Sequence, residues 1–267
     1  MKIGYVQLNI RLGQVKENVK HAESLIKGFK EEIDLLVLPE LFNTGYAIPS
    51  FDEALRLAER FPEGYTSQKL SSLAEELGAY IVAGFAELYN GRVYNSAGIY
   101  GPQGPLGVYR KVHLFYKEKL LFTPGSEFRV FELDGFKLGV MICFDWIFPE
   151  AARILALGGA DIIAHPANLV LPYAPTAMLA RSVENRVYTI TANRVGEEKL
   201  GGETFRFIGM SQVTSPRMEI LCRAPRDGEE VRVVDVNLDL ARSKKITELN
   251  DLWEDRRPEL YKPLVQA

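Results

Sequence analysis

Three short apolar segments of the sequence end at residues that could do chemistry: a cysteine, a glutamate and a lysine. Cys143 follows the apolar run 139–142 and precedes Asp145, Pro149 and the start of a helix. It is therefore expected at the end of a buried strand, where the chain turns sharply and a side chain is held exposed. A thiolate is a strong nucleophile, yet a lone cysteine is more often a small buried apolar residue. Position alone leaves both interpretations of Cys143 open.

The other two strand ends give equally weak signals when each is taken alone. Glu40 comes directly after the apolar segment 35–38 and Pro39. Burial there would raise its pKa towards that of a useful proton shuttle, but a helix cap or a surface ion pair also explains a glutamate. Lys111 ends a third predicted strand, 107–112, and a lysine in a strand is more often solvent-facing than catalytic.

Taken together and in order, these segments resemble the three signature segments of the nitrilase superfamily of carbon–nitrogen hydrolases. They are Leu-Pro-Glu at 38–40, Tyr-Arg-Lys-Val-His-Leu at 109–114 and Cys-Phe-Asp-Trp-Ile-Phe-Pro-Glu at 143–150. The similarity covers almost the whole chain and fades only in the tail; it includes 84–87, 94–97, 122–125, 181–186 and 192–194.

The resemblance implies a catalytic triad of Glu40, Lys111 and Cys143. In that mechanism Glu40 accepts the thiol proton, while Lys111 and the backbone amide of Phe144 stabilise the oxyanion that attack creates. With an amide, ammonia then leaves and water hydrolyses the thioester; with a nitrile the first adduct is a thioimidate, and its hydration supplies the ammonia. A second carboxylate of the family corresponds to Glu118, although the run 117–119 also suits a solvated loop.

Several other side chains near these segments have expected roles. Three could line a pocket: Tyr46, Trp146 and Asn168. Trp146 could equally be a packing residue. Structural roles are expected for His113, His165 and Cys222, the last because its apolar strand has no charge pattern that would lower a thiol pKa. No cofactor and no metal are expected, since two cysteines and three histidines do not form a spaced metal cluster.

The elements that must position these residues alternate between strands and helices. The first half predicts strands and helices in the order β-α-β-α-β-β, at 2–8, 15–29, 35–38, 67–77, 79–85 and 96–100, with Thr66 as a helix N-cap and Gly78 as its C-terminal stop. Hairpins are predicted around 101–105 and 134–135. The second half predicts helices 149–157 and 176–185 and strands 161–165, 187–193, 207–214, 218–222 and 231–236.

This order predicts an α/β protein in which two mixed sheets pack face to face with helices outside, and the resemblance implies the same four-layer α-β-β-α sandwich. A single domain over 1–267 is expected because no Gly, Ser or Pro-rich linker interrupts the pattern. The tail, 244–267, mixes aromatic and charged residues and is expected to pack on the body or on a partner subunit. The resemblance implies a homodimer.

Composition excludes several classes of function. The net charge is −3 over 267 residues, and lysines and arginines are scattered, so no nucleic-acid partner is expected. No stretch approaches 18 apolar residues and the N-terminus lacks a signal-peptide pattern, so no membrane partner is expected either. Two cysteines without a disulfide framework indicate a cytoplasmic location.

The expected substrates are water and a small amide or nitrile. Dedicated nitrilases of the superfamily typically place Trp-Glu after the cysteine, whereas this chain has Phe144 and Asp145. That difference slightly favours an amidase, including an ω-amidase, over an aliphatic nitrilase, and a carbamoyl substrate stays open. Outside hydrolysis, Cys143 could be a redox-sensing thiol, or the chain could be a catalytically silent interaction module.

Overall fold

The computed structural model describes residues 1–266, and strands make up most of its regular structure. The strands are β1 (Lys2–Asn9), β2 (Leu35–Val37), β3 (Tyr80–Tyr89), β4 (Arg92–Gly101), β5 (Gly104–Arg110), β6 (Val130–Leu133), β7 (Phe136–Val140), β8 (Ile162–Pro166), β9 (Tyr188–Ala192), β10 (Arg194–Val195), β11 (Glu197–Leu200), β12 (Glu203–Arg206), β13 (Gln212–Thr214), β14 (Ile220–Arg223) and β15 (Glu230–Asp235).

Helices occupy the segments between the strands. They are α1 (Val15–Gly28), α2 (Phe51–Leu57), α3 (Tyr65–Leu77), α4 (Glu118–Leu121), α5 (Pro149–Leu157), α6 (Ala174–Asn185) and α7 (Asp239–Arg242). Three 3₁₀ turns accompany them, at Cys143–Ile147, Pro258–Leu260 and Lys262–Val265. Helix α5 has the bounds that its sequence pattern predicts, with Pro149 at its first position and Gly158 after its end.

The larger strands form two mixed sheets. The first has the order β10-β1-β2-β3-β4-β5, with β15 antiparallel to β1, and the second has the order β14-β13-β9-β8-β7-β6. Strands β11 and β12 form a separate hairpin. Each large sheet contains three neighbouring parallel strands: β1, β2 and β3 in the first, and β7, β8 and β9 in the second. In the first sheet the edge strand β10 is also parallel to β1.

Alternating side chains of the first sheet enter two different cores. Tyr5 and Val37 belong to the core that joins the two sheets, whereas Val6 and Leu36 pack with α1 and α3 on the outer face. This is the consequence of strand geometry, in which neighbouring residues point to opposite faces. Helices α5 and α6 cover the outside of the second sheet. The predicted α-β-β-α sandwich with two mixed sheets is confirmed.

Two details predicted from the sequence are wrong. Helix α3 begins after Gly64, and Thr66 is buried inside its first turn, where its amide donates to the Glu59 carboxylate. The strand predicted at 207–214 forms only at Gln212–Thr214. Its first part is irregular because Gly209 and Met210 both have φ of +58°, a left-handed conformation that ends a strand.

The tail contacts the body through its first half. The Lys244 ammonium donates to the carbonyls of Asn185 and Arg186 at the end of α6, and burial lowers the pKa of this lysine to about 8. Trp253 lies beneath the side chains of Lys244 and Arg153. Among residues 1–266, no helix combines the length and apolar character needed to cross a bilayer.

Candidate active site

Cys143 begins the 3₁₀ turn that connects β7 to α5. Its φ of +40° places a non-glycine residue in the left-handed region, a strained backbone conformation that costs about 1–3 kcal/mol. A sharp strand-to-helix turn can present a side chain to a cavity, and Cys143 lines one. The sequence prediction that Cys143 lies where a buried strand turns sharply is confirmed.

Two buried residues hold this turn in place. The Asp145 carboxylate accepts hydrogen bonds from the Ile142 amide (2.9 Å), the Tyr109 hydroxyl (2.7 Å) and the amide and ring of His113 (3.0 and 2.8 Å). His165 donates through Nε2 to the carbonyl of Cys143 at 2.9 Å. That bond fixes the tautomer, and burial lowers the pKa of His165, so the ring is neutral. Both histidines have the structural positions that the sequence predicts.

Lys111 lies just after β5 and is completely buried between two carboxylates. Its Nζ is 2.6 Å from Oε1 of Glu40 and 2.9 Å from Oε1 of Glu118. Burial alone would lower the pKa of Lys111, but the charges of Glu118 and Glu40 outweigh it and raise that pKa, so the ammonium is retained. The structure therefore brings together all four charged or nucleophilic residues selected from the sequence, including Glu118.

The two oxygens of Glu40 have different environments. Oε1 accepts from Lys111 and from Nδ2 of Asn95 at 2.7 Å, whereas Oε2 is buried without a hydrogen-bond partner among residues 1–266. An unpaired buried carboxylate oxygen is costly unless a further proton donor approaches it. Gly84 allows strand β3 to lie close to the backbone of Glu40, because a Cβ at position 84 would be only 2.5 Å from the Cα of Glu40.

The surroundings keep the thiol of Cys143 protonated at rest. Burial raises its pKa well above the ordinary value, and the negative charge of Glu40 raises it further, while Lys111 acts in the opposite direction. A resting thiolate is thus disfavoured.

A small cavity lies in front of Cys143. Its volume is about 20 Å³, enough for about one water molecule. Its lining is mostly apolar and comprises Phe115, Cys143, Phe144, Trp146, Asn168, Leu169, Val170 and Leu171. Asn168 donates to the Glu40 carbonyl at 2.9 Å, and its Oδ1 is buried without a partner among the described residues. A larger open cleft of about 570 Å³ lies around His21 and Glu229, and its described lining contains no cysteine, serine or threonine.

Tyr46 is the remaining pocket candidate; it is buried and lies outside the described lining of the cavity. Burial raises its pKa well above the ordinary value, and the charges of Glu118 and Glu40 raise it further. Cys222 lies apart from this group, in β14, and burial raises its thiol pKa. Within the described part of the chain, no cluster of three or more His, Cys, Asp or Glu side chains is suited to a metal ion.

The free energy of unfolding depends on pH through Glu118. Burial raises its pKa from the ordinary 4.5 to about 7, although Lys111 acts to lower it. Between those values the native state holds a proton that the unfolded chain has released. The stability contributed by this group is therefore fully present below pH 4.5 and is lost as the pH rises through about 7.

We expect the difference in thermal midpoint between the wild type and Glu118→Gln to fall as the pH rises from 5 to 8 in a thermal-melt series. The exposed Glu53, replaced by glutamine in the same way, is the control. Its hydrogen bond to Arg56 lowers its pKa, so the corresponding difference in thermal midpoint should change with pH in the opposite direction. A difference that stays constant or increases for Glu118→Gln would contradict the assigned protonation.

Sequence reasoning missed Asn95, which holds both members of the charged pair. Its side chain binds the Glu40 carboxylate, and its backbone carbonyl accepts from the Lys111 amide at 2.9 Å. The available signal was a polar residue in an otherwise buried strand, 93–101. Tyr109 and Asp145 were likewise not predicted to form the support of the cysteine turn.

Comparison of this chain with known proteins gives a consistent result. The sequence model of the carbon-nitrogen hydrolase family matches residues 2–246. A nitrilase from Pyrococcus abyssi is 52% identical over 98% of this chain and 99% of its own. The 2-oxoglutaramate amidase of Bacillus subtilis is 34% identical over 97% of this chain and 98% of its own. A carbon-nitrogen hydrolase structure from Helicobacter pylori has a TM-score of 0.88 at 28% identity, covering 100% of this chain and 98% of that one.

The fold is that of the nitrilase superfamily. The chain belongs to its carbon-nitrogen hydrolase family and is an enzyme of that class. Enzymes of this family act with water on small amides or nitriles. The catalytically silent interaction module is thereby excluded.

Proposed function

We propose that this enzyme releases ammonia from compact, neutral aliphatic amides through a thioester on Cys143. The single observation that carries the proposal is the arrangement around Glu40: Oε1 is held by Lys111 and Asn95, and Oε2 is left free. A base fixed in this way can take the thiol proton during attack, give a proton to the leaving ammonia and then activate water.

Lys111 and the backbone amide of Phe144 are the proposed oxyanion donors. Lys111 is fixed by two carboxylates, and Phe144 follows the nucleophile in the first turn of a 3₁₀ segment, where amides lack partners within the helix. Donors fixed before the reaction stabilise developing charge without reorganisation, and one such donor is worth about 3–4 kcal/mol of barrier. Glu118, Tyr46, Trp146 and Asn168 complete the proposed site.

The lining of the cavity supports a neutral substrate. Its side chains are aromatic or aliphatic apart from Cys143 and Asn168, and no cationic side chain is among its described members. The nearby Lys117 is paired with Glu203 at 2.6 Å. The ammonium of Lys111 is already paired with Glu40 and Glu118, so it offers no free counter-charge to an anionic substrate. This argues against an ω-amide that bears a carboxylate.

We expect the catalytic efficiency kcat/KM for butyramide to exceed that for glutaramate, which adds a carboxylate to a similar chain, by about 10-fold or more. The measurement is an ammonia-release panel of simple amides, ω-amides and carbamoyl compounds with product analysis. Preference for glutaramate would contradict the neutral-substrate proposal and leave the hydrolase class intact.

The corresponding nitrile is a second candidate substrate. The similarity to the Pyrococcus abyssi protein, which is named a nitrilase, favours the nitrile. The Phe144-Asp145 pair after the cysteine favours the amide. Butyronitrile in the same panel separates the two, because only a nitrilase gives ammonia and acid from it. A redox-sensing role for Cys143 is disfavoured because Cys222, the other thiol, lies in β14, outside the described lining of the cavity.

We also propose a cytoplasmic homodimer of a single-domain chain. The family match spans most of the chain, and both cysteines are free thiols. Helix α5 presents Ile154 and Leu157 on one exposed face, 48% and 45% accessible, and the tail adds Leu264 at 65%. These exposed apolar side chains are the proposed interface between the subunits.

In sedimentation at micromolar concentration we expect a dimer that Ile154→Asp converts to monomer. Leu106→Asp, which changes an exposed leucine on β5, is the matched control and should stay dimeric. A wild-type protein that sediments only as monomer would contradict the dimer.

A further inference from the structure

The hairpin of β11 and β12 reaches the backbone of the loop that follows Glu40. At its base, Glu198 is buried, and its Oε2 accepts the amides of Tyr46 at 2.9 Å and Ala47 at 2.7 Å. More than 150 residues separate these partners along the chain. The loop 41–48 is therefore held from outside by a carboxylate that does not itself line the cavity.

The carboxylate of Glu198 is fixed by a buried arginine. Its Oε1 accepts from Nη1 of Arg194, whose Nη2 donates to the Ile10 carbonyl at 2.6 Å. The guanidinium of Arg194 also lies over the Phe207 ring at 4.1 Å. Buried ion pairs contribute little to stability compared with an apolar replacement. The main effect of this pair is therefore to fix the position of the Glu198 carboxylate.

The same hairpin segment also holds the ring of Tyr46. Phe205 and Phe207 pack edge-on against it, with ring centroids 5.7 and 6.2 Å away. Backbone and ring are thus both fixed, and the charges of Glu118 and Glu40 raise the pKa of the Tyr46 phenol. At the hairpin's other strand, Glu203 accepts from Tyr116 and Lys117, which immediately precede Glu118.

We propose that Glu198 is a positioning residue: by holding the amides of Tyr46 and Ala47 it fixes the loop that follows Glu40 and the side chain of Tyr46, and so orients the two carboxylates beside Cys143. Glu198 touches neither the cavity nor the nucleophile and acts through Tyr46. The inference deepens the proposed function and rests on it wherever ammonia release is the readout. A shift of about 1 Å in a positioned group can cost about 10²-fold in rate.

The test uses two readouts, one of which does not depend on the substrate. The first is kcat/KM for ammonia release from the best amide of the panel. The second is the rate at which iodoacetamide alkylates Cys143 across a pH series, measured by peptide mapping with Cys222 as the internal reference. Alkylation reports the reactivity of the thiol and therefore the position of Glu40.

We expect Glu198→Gln to lower both rates by about 10- to 100-fold. Glutamine has one acceptor oxygen, whereas Glu198 uses one oxygen for the loop amides and the other for Arg194. Glu198→Asp, which keeps the charge, should recover part of the loss and remains testable if Glu198→Gln does not fold. Glu197→Gln is the matched control: Glu197 is the preceding residue of β11, exposed and paired with Arg206, and both rates should be unchanged.

A double-mutant cycle with Tyr46→Phe separates positioning through the phenol from a general loss of structure. We expect the effect of Glu198→Gln to be much smaller in the Tyr46→Phe background, since the two residues act in sequence. Multiplicative effects, or wild-type rates for Glu198→Gln, would overturn the proposal. If the wild-type protein releases no ammonia and Glu198→Gln still slows alkylation of Cys143, the positioning role is supported and the proposed function is rejected.

Discussion

Replacing Cys143 by alanine is expected to lower ammonia release by about 10⁴-fold or more, as removal of a covalent nucleophile does in other enzymes that use one. The side chain lost is small, and the turn is held by Asp145 and His165, whose bonds go to the backbone and not to the thiol. The fold should therefore persist, which circular dichroism and the thermal midpoint can verify. The measurement is the initial rate of ammonia release at saturating amide.

Cys222→Ala is the matched control for that experiment. Cys222 is the other cysteine of the chain, is also buried and lies in β14. Its replacement should change the rate by no more than a few-fold. Undiminished release by Cys143→Ala would remove the nucleophile from the mechanism, and an equal loss in both variants would indicate a general effect on the fold.

The second large effect is expected for Glu40→Gln, which should lower kcat by about 10³-fold because glutamine cannot accept the thiol proton. The side chain keeps its size, and its amide oxygen can still accept from Lys111 and Asn95 in place of Oε1. The variant thus removes the proton acceptor and changes the geometry little. Single-turnover kinetics should show that formation and hydrolysis of the thioester are both slowed.

Glu87→Gln provides a control at a similar buried carboxylate. Glu87 lies on β3, is 1% exposed and is paired with Arg110 through two hydrogen bonds, so its loss perturbs the same sheet without removing the base. Activity per folded molecule should stay within a few-fold of the wild type. A Glu40→Gln variant that retains wild-type kcat would assign the base to another group, with Glu118 as the next candidate.

The sequence predicts where the chain leaves the strands before Cys143 and Glu40, because each follows an apolar run and such local patterns depend only on neighbouring residues. Lys111 follows Arg110, and only the combined segments made it a candidate. Helix α5 was predicted at its observed bounds because its start and stop signals are local as well. The resemblance to a family then supplied the association between three segments that no local pattern could join.

The supporting residues could not be predicted in the same way. Asn95 and Glu40 are 55 positions apart, and Glu198 is about 150 positions from the amides that it binds. Such contacts depend on how the sheets stack and on the register of β4, neither of which composition or periodicity specifies. The hairpin of β11 and β12 was missed because its residues, 197–206, are mostly charged and give no apolar alternation.

The most direct test of the covalent mechanism is mass-spectrometric detection of the acyl-enzyme. A p-nitrophenyl ester that shares the acyl group of the best amide should acylate the enzyme faster than water releases it, so the intermediate accumulates during turnover. After an acid quench, we expect the peptide that contains Cys143 to gain the mass of the acyl group in place of the thiol hydrogen. Hydroxylamine should remove that mass. Turnover with Cys143 unmodified, or with the acyl group on another residue, would contradict the mechanism.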